Sequence, residues 1–408
     1  MICCGDIMTL PELKKLELVA GAGGLKRVLR WVHVLDMPDV ISWVQGGELL
    51  IMTGIGIYQD ESALPKIVKA ISRKKLAGLI INVGPYIPSI PREVLDIADS
   101  LNFPLFILPW EIKLVEVTKA ISSHIVLKQM EERVVHNLLE SILFSETADY
   151  SLLAGRAAQC GYEKNEAYRI AVLQIKNFSV SLQTQGINDE IESIHIKVQL
   201  KQIIDQTLEM YGCKALSLIH VDDIIFLLPS RSLKFNDKKD AIILIDIFEK
   251  ISRHFANFIV QIGLGTATAN MADFRTSLEQ AEQSLLFLKI NQSKESICFF
   301  EQLGGFKLLF KLGKSDLNSY YRETISPLAD YDKVHSTELV HNLIVFFKVD
   351  NVLNQAAEQL FLHRNTLRYR LQKIEEITGR RLTNIEDRTT LQLGIMVGKI
   401  LGVIIEKQ

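Results

Sequence analysis

Residues 111–145 contain neither proline nor glycine, and no other stretch constrains the fold as strongly. Leu114, Val117, Ile121 and Ile125 recur at helical spacing there, and Met130, Val134, Leu138 and Ile142 continue the stripe after a slip. At about 1.5 Å per residue the segment predicts one helix of roughly 50 Å. Such a helix divides the chain into an N-terminal and a C-terminal part. Between domains it serves as a dimer seam or a signalling connector, with packing on its own domain as the competing reading. The chain has 408 residues, and at roughly 100–200 residues per domain two to four domains are expected.

Before this helix, short apolar runs alternate with amphipathic segments. Val28 to Leu35, GGELLIMTG, GLIINVG and PLFILP read as strands. Helices are expected from about Ser62 to Lys75 and from Pro91 through Ser100. That order predicts an α/β unit with a largely parallel sheet. After it, residues 166–303 form a second α/β block. YRIAVLQI, CKALSLIH, IIFLLP, FIVQIGLGTAT and SICFFEQ are its strands, and Val221-Asp222-Asp223 is a hairpin turn. The βαββαβαβ order predicts a ferredoxin-like sheet with one extra hairpin element. The remainder, from about 304 to 408, is all helical. The expected fold is therefore multidomain α/β plus all-α, divided at 1–110, 111–150, 151–303 and 304–408.

The formal net charge of −2 excludes a chain held on nucleic acid or anionic membrane by bulk positive charge, though not a local basic patch. Cys3, Cys4, Cys160, Cys213 and Cys298 form no CxxC pair and lie apart from histidine clusters. Neither a disulfide framework nor a metal site is expected, and reduced thiols fit a cytoplasmic protein. No basic stretch with an adjoining apolar core marks a signal peptide, and no apolar run is long enough to span a bilayer.

The segment DNVLNQAAEQLFLHRNTLRYRLQKIEEITG, residues 350–379, carries the sharpest functional pattern. Asp350 or Asn351 can cap a helix running to about Phe361. Ala356 and Ala357 let a second helix cross close by, and Gly379 suits that helix's C-terminal stop. Ala357, Leu360, Leu362, Leu367, Leu371 and Ile374 fall where two crossed helices share a core, the pattern of a helix-turn-helix. His363, Arg364, Asn365, Thr366, Arg368, Tyr369, Arg370 and Lys373 are left as candidate DNA-binding residues. Four of them are basic and no acid interrupts 363–373, which leaves −6 for the rest of the chain. Arg and Asn can grip guanine and adenine edges with paired hydrogen bonds, while Thr366, Tyr369 or Lys373 could hold phosphates.

HRNTLRYRLQKIEEITG, preceded by AAEQL, resembles the C-terminal helix-turn-helix of PucR/CdaR-type bacterial transcriptional regulators. GGLKRVLRWVHVLDMPDVISWVQGGELLIMTGIG resembles the PucR N-terminal sensor domain, and residues 166–303 resemble the degenerate GGDEF-like domain of the same regulators. The resemblance implies a cytoplasmic, DNA-binding regulator, commonly of purine, amino-acid or sugar-acid catabolism, and a dimer with two half-sites on double-stranded DNA is expected to read a palindromic operator. A small-molecule effector and a homodimer or higher symmetric oligomer are expected, with RNA polymerase as a further candidate partner and no membrane.

A GGDEF-like fold raises the rival of a nucleotide cyclase. In the matching turn, His220-Val221-Asp222-Asp223-Ile224, side chains stand where the glycines should admit nucleotide. Gln174 and Lys176 occupy the positions where a metal-binding aspartate is expected. No enzyme, cofactor or metal is therefore expected. For the effector, the carboxyl ends of the parallel strands point to Asp36, Glu48, Thr53, Gly54, Asn82 and Trp110. The alternative is a ligand-binding scaffold or nucleotide-related enzyme whose basic C-terminal helix docks a protein partner.

Overall fold

The computed structural model describes residues 2–35, 43–57, 62–145, 147, 149–184, 190–230, 238–292 and 295–404. They form two compact units, Met1–Asn137 and Leu138–Gln408.

The first unit runs β1 (Ile2–Cys3), β2 (Glu17–Ala20), β3 (Val28–Leu29), β4 (Trp31–Val34), β5 (Glu48–Met52), α1 (Ala63–Arg73), β6 (Gly78–Val83), α2 (Arg92–Ser100), β7 (Leu105–Pro109) and α3 (Leu114–Phe144), whose last turns belong to the second unit. Its sheet has the order β2-β7-β6-β5-β4, with β4 to β7 parallel and β2 antiparallel at the edge. The strands read as continuous apolar runs because both faces are covered. Leu50, Met52, Leu79 and Ile81 meet α1 and α2 on one face. Leu49, Ile51, Ile80, Phe106 and Leu108 face the other way, where Val117, Ile121 and Ile125 of α3 cover them. The first turns of the long helix thus pack on their own domain. This corrects the preferred seam or connector reading for those residues. Burying each such side chain contributes about 1.5–3 kcal/mol, enough to fix this part of the helix on the sheet.

The second unit continues with α4 (Tyr150–Gln159), β8 (Ala167–Ile175), α5 (Phe178–Thr184), α6 (Glu190–Met210), β9 (Ser217–His220), β10 (Asp223–Ser230), α7 (Lys238–His254), β11 (Val260–Leu264), α8 (Phe274–Ile290) and β12 (Ile297–Phe299). The strand order is β12-β11-β8-β10-β9. Without β12 this is the ferredoxin-like order. The extra strand lies parallel to β11 and is reached through α8, so it is a crossover addition rather than the expected hairpin. Residues Ala171, Leu173, Ile224 and Phe226 face α6 and α7 in one core. On the other face Gly263 and Gly265 bring α8 close, since a Cβ at either would collide with a carbonyl oxygen of Ala281 or Ser277.

Seven helices complete the described chain: α9 (Phe306–Leu309), α10 (Lys314–Thr324), α11 (Ser326–His335), α12 (Leu339–Lys348), α13 (Leu353–Gln359), α14 (Arg364–Thr378) and α15 (Ile385–Ile400). Ile325, Leu328, Leu343, Phe346, Leu367, Leu371, Ile374 and Leu391 share their core.

Candidate nucleic-acid interface

Ala356 and Ala357, 0% and 4% exposed, let α13 and α14 cross at short range, and Leu367, Leu371 and Ile374 bury the inner face of α14. The start of α13 differs from expectation. Asp350 and Asn351 do not cap it; they stand at φ 52° and 65° and close the preceding α12, where the Asn351 N–H donates to the Phe346 carbonyl. Asp and Asn tolerate this left-handed backbone better than most residues, so the same types that favour N-caps here end a helix. Val352 precedes α13 without a side-chain cap.

The turn into α14 holds the residue that sequence reasoning passed over. Phe361 has φ 51° and is 97% exposed. It reads as a mere connection in the sequence, since nothing in composition records a backbone angle. His363 then caps α14, its Nδ1 accepting from the Asn365 N–H at 3.2 Å, and Gly379 at φ 65° ends the helix as expected.

Five of the eight candidate side chains on this segment, Arg364, Asn365, Thr366, Arg368 and Tyr369, are exposed on α14. The other three have structural partners. His363 is used as the cap. Arg370 is half-buried and donates through Nη1 to Oδ1 of the buried Asn342 at 3.0 Å, tying α14 to α12. Lys373 Nζ lies 2.9 Å from the Glu376 carboxylate, whose hydrogen bond and charge hold the ammonium above its ordinary range. Arg368 also lines a cleft of about 470 Å³ with Asn351, Gln372 and Arg388.

Of the candidate effector residues, Thr53, Gly54, Asn82 and Trp110 stand at the carboxyl ends of the adjacent strands β5, β6 and β7, whereas Glu48 does not. Asp36 lies outside the described residues. Glu48 opens β5 whereas Thr53 comes after its far end, and the Glu48 carboxylate accepts from the Gln45 and Gly46 N–H groups at 2.8 and 2.6 Å. Asn82 is 3% exposed and donates to the Leu108 and Pro109 carbonyls, joining β6 to β7. Thr53 is buried, and Gly54 adopts φ 84° against Ile87. Trp110 lines a cleft at the carboxyl ends of β6 and β7.

In the GGDEF-like turn the His220 ring stacks on Phe144 with centroids 4.2 Å apart. Val221 stands at φ 55°, a strained backbone for a β-branched residue. Lys197 holds it, donating to the Val221 carbonyl at 2.9 Å and to Asp222 at 2.6 Å. Gln174 donates to Asp223 at 2.9 Å, so the position expected to ligate metal instead satisfies a turn carboxylate. Burial pushes the Asp223 carboxyl up, and burial together with Asp223 does the same to Glu282. Among the described residues no cluster of three or more His, Cys, Asp or Glu side chains could hold a metal ion, and no helix is long and apolar enough to cross a membrane.

Three family models match the chain. Residues 6–125 match the purine catabolism regulatory protein-like family, 145–286 the GGDEF-like domain, and 339–397 the PucR C-terminal helix-turn-helix domain. The purine catabolism regulatory protein of Bacillus subtilis is 21% identical over 97% of this chain and 99% of its own length. The transcriptional activator PmfR of Paenarthrobacter nicotinovorans is 21% identical over 95% of each. The proline-responsive transcriptional activator PutR of Bacillus subtilis is 25% identical over 67% of this chain and 64% of its own length. With an N-terminal PucR domain, a GGDEF-like middle and a PucR helix-turn-helix in that order, the chain is a DNA-binding transcriptional regulator of the PucR type.

Proposed function

We propose that this regulator controls a catabolic gene set in response to a small metabolite, as a homodimer that reads two half-sites of duplex DNA. In this reading residues 1–110 sense, the part of 111–150 beyond Ile125 connects, 151–303 transmit and 304–408 read DNA. The relatives named for purine catabolism and for proline support a catabolic target. No reaction is assigned to the middle domain, because His220 and Val221 stand where a nucleotide-binding turn would need glycines.

The observation that carries DNA reading is the outer face of α14. Arg364 and Asn365 lead it and would meet base edges, while Thr366, Arg368 and Tyr369 would hold phosphates and set the register. His363 and Arg370 act as positioning residues, the first by starting the helix and the second by anchoring it. Lys373 can reach a phosphate only by leaving Glu376. A symmetric pair of such helices needs half-sites about one helical turn or a multiple apart.

Fluorescence anisotropy with DNA selected from a random pool by the full chain tests this. Log affinity should fall steeply and linearly with log salt, since phosphate contacts release counterions. Arg364→Ala should cost about 1–3 kcal/mol on the selected site and leave melting unchanged. Arg370→Ala should lower melting by stranding the buried Asn342 oxygen, a loss of about 1–3 kcal/mol. Affinity that ignores salt would return the basic helix to the protein-docking reading.

A further inference from the structure

We infer that the cleft at the carboxyl ends of β6 and β7 is the effector site and takes a zwitterionic α-amino acid with an apolar side chain. This rests on the reading of the chain as metabolite-responsive and names where and what it senses. The cleft has a volume of about 320 Å³, at the small end of the roughly 300–1,000 Å³ of ligand pockets. That suits a small metabolite rather than a dinucleotide. It also lies where parallel α/β sheets bind ligands, beyond the carboxyl ends of adjacent strands.

Its wall is fixed. Trp110 stands directly after β7, and Tyr86 meets its ring edge-on at 5.7 Å. Gly84 leaves room for that ring: a Cβ there would come within 2.7 Å of it. Val83 and Ile107 extend the apolar surface.

Its charges are complementary to a zwitterion. The β2–β7 register pairs Glu17 with Ile107, and Lys15 lies in the turn just before β2 and lines the same cleft. Glu17 therefore approaches from the edge strand, Lys15 from the turn before it, and Glu111 from the segment after β7. All three are exposed, and none has a hydrogen-bond or ion-pair partner among the described residues. One cation beside two carboxylates answers a carboxylate and an ammonium on one small molecule. A dianionic acid would meet net repulsion. A neutral heterocycle could stack on Trp110 but would leave the ammonium and both carboxylates unanswered.

Isothermal titration of the full chain with L-leucine and L-valine tests the inference, with 3-methylbutylamine and 3-methylbutanoate as analogues lacking one charge of leucine. Saturable heat with the amino acids, and none with the analogues, is the expected result. Lys15→Ala and Glu111→Gln should each weaken binding by about tenfold or more. Gly84→Ala should do the same by displacing the Trp110 ring without removing a charge. No heat with either amino acid, or heat unchanged in all three variants, overturns the inference. Anisotropy on the selected DNA is measured alongside: DNA binding retained without amino-acid heat rejects this cleft and leaves the regulatory reading standing, whereas loss of both rejects that reading too.

Discussion

Phe361 has no stability reason to be phenylalanine. A bulky residue in the left-handed region costs about 1–2 kcal/mol, and a ring that is 97% exposed recovers none of it by burial. Phe361→Gly should therefore raise the melting temperature. It should also weaken binding to the selected DNA, because an exposed ring beside a recognition helix can meet a thymine methyl group. A higher melting temperature with unchanged affinity would leave the ring without a part in recognition. The other residues on α14 divide along a line that the sequence does not draw. Arginine at 364 and at 370 has the same chemistry, yet one is exposed and the other is spent on Asn342, 28 positions away. Asn82 is legible as a polar group at a strand end, but its partners are carbonyls 26 and 27 positions on. Residue type states what a side chain can do; its neighbour in space decides which of those things it does. Arg169 makes the same point inside a strand, 1% exposed and paired with Glu301 at 2.7 Å.

At the scale of elements, the strands are legible because burial on both faces leaves unbroken apolar runs, and the helix-turn-helix because close crossing demands alanine. The use of α3 is not legible, since periodicity gives a stripe without saying what covers it. Val117, Ile121 and Ile125 are buried, whereas Leu127, Met130 and Val134 are 60%, 57% and 55% exposed. Their spacing of three and four residues is that of a two-helix seam. A second copy of the chain is the proposed occupant, because a helix-turn-helix reading two half-sites requires a symmetric partner. Replacing all three by glutamate should shift sedimentation from dimer to monomer at micromolar concentration without lowering the melting temperature. Unchanged sedimentation would remove this stripe as the seam. The parallel addition of β12 is likewise hidden, because its strand pattern fits a hairpin and a crossover equally well.

For the molecule as a whole, two acids in the middle domain make stability depend on pH. Burial holds the carboxyls of Asp223 and Glu282 above their ordinary ranges. A carboxyl with a higher pKa folded than unfolded opposes folding at pH values above its folded pKa, and the opposition is relieved as pH falls toward the unfolded value. These two groups should therefore add stability as pH falls from neutral toward the carboxylate range. Glu282→Gln should raise the melting temperature at pH 7 and flatten that gain; a variant melting with the parent at pH 7 would contradict it. The stack of Phe144 on His220 has a different consequence. A diffusible ligand fills its site according to its concentration, whereas a side chain on the same chain is present at an effective concentration set by its tether. Phe144, in the last turn of α3, therefore meets the β9–β10 turn at a concentration that no diffusing molecule sets. The end of α3 and this turn are thereby joined by a ring contact whose occupancy does not vary with any metabolite pool.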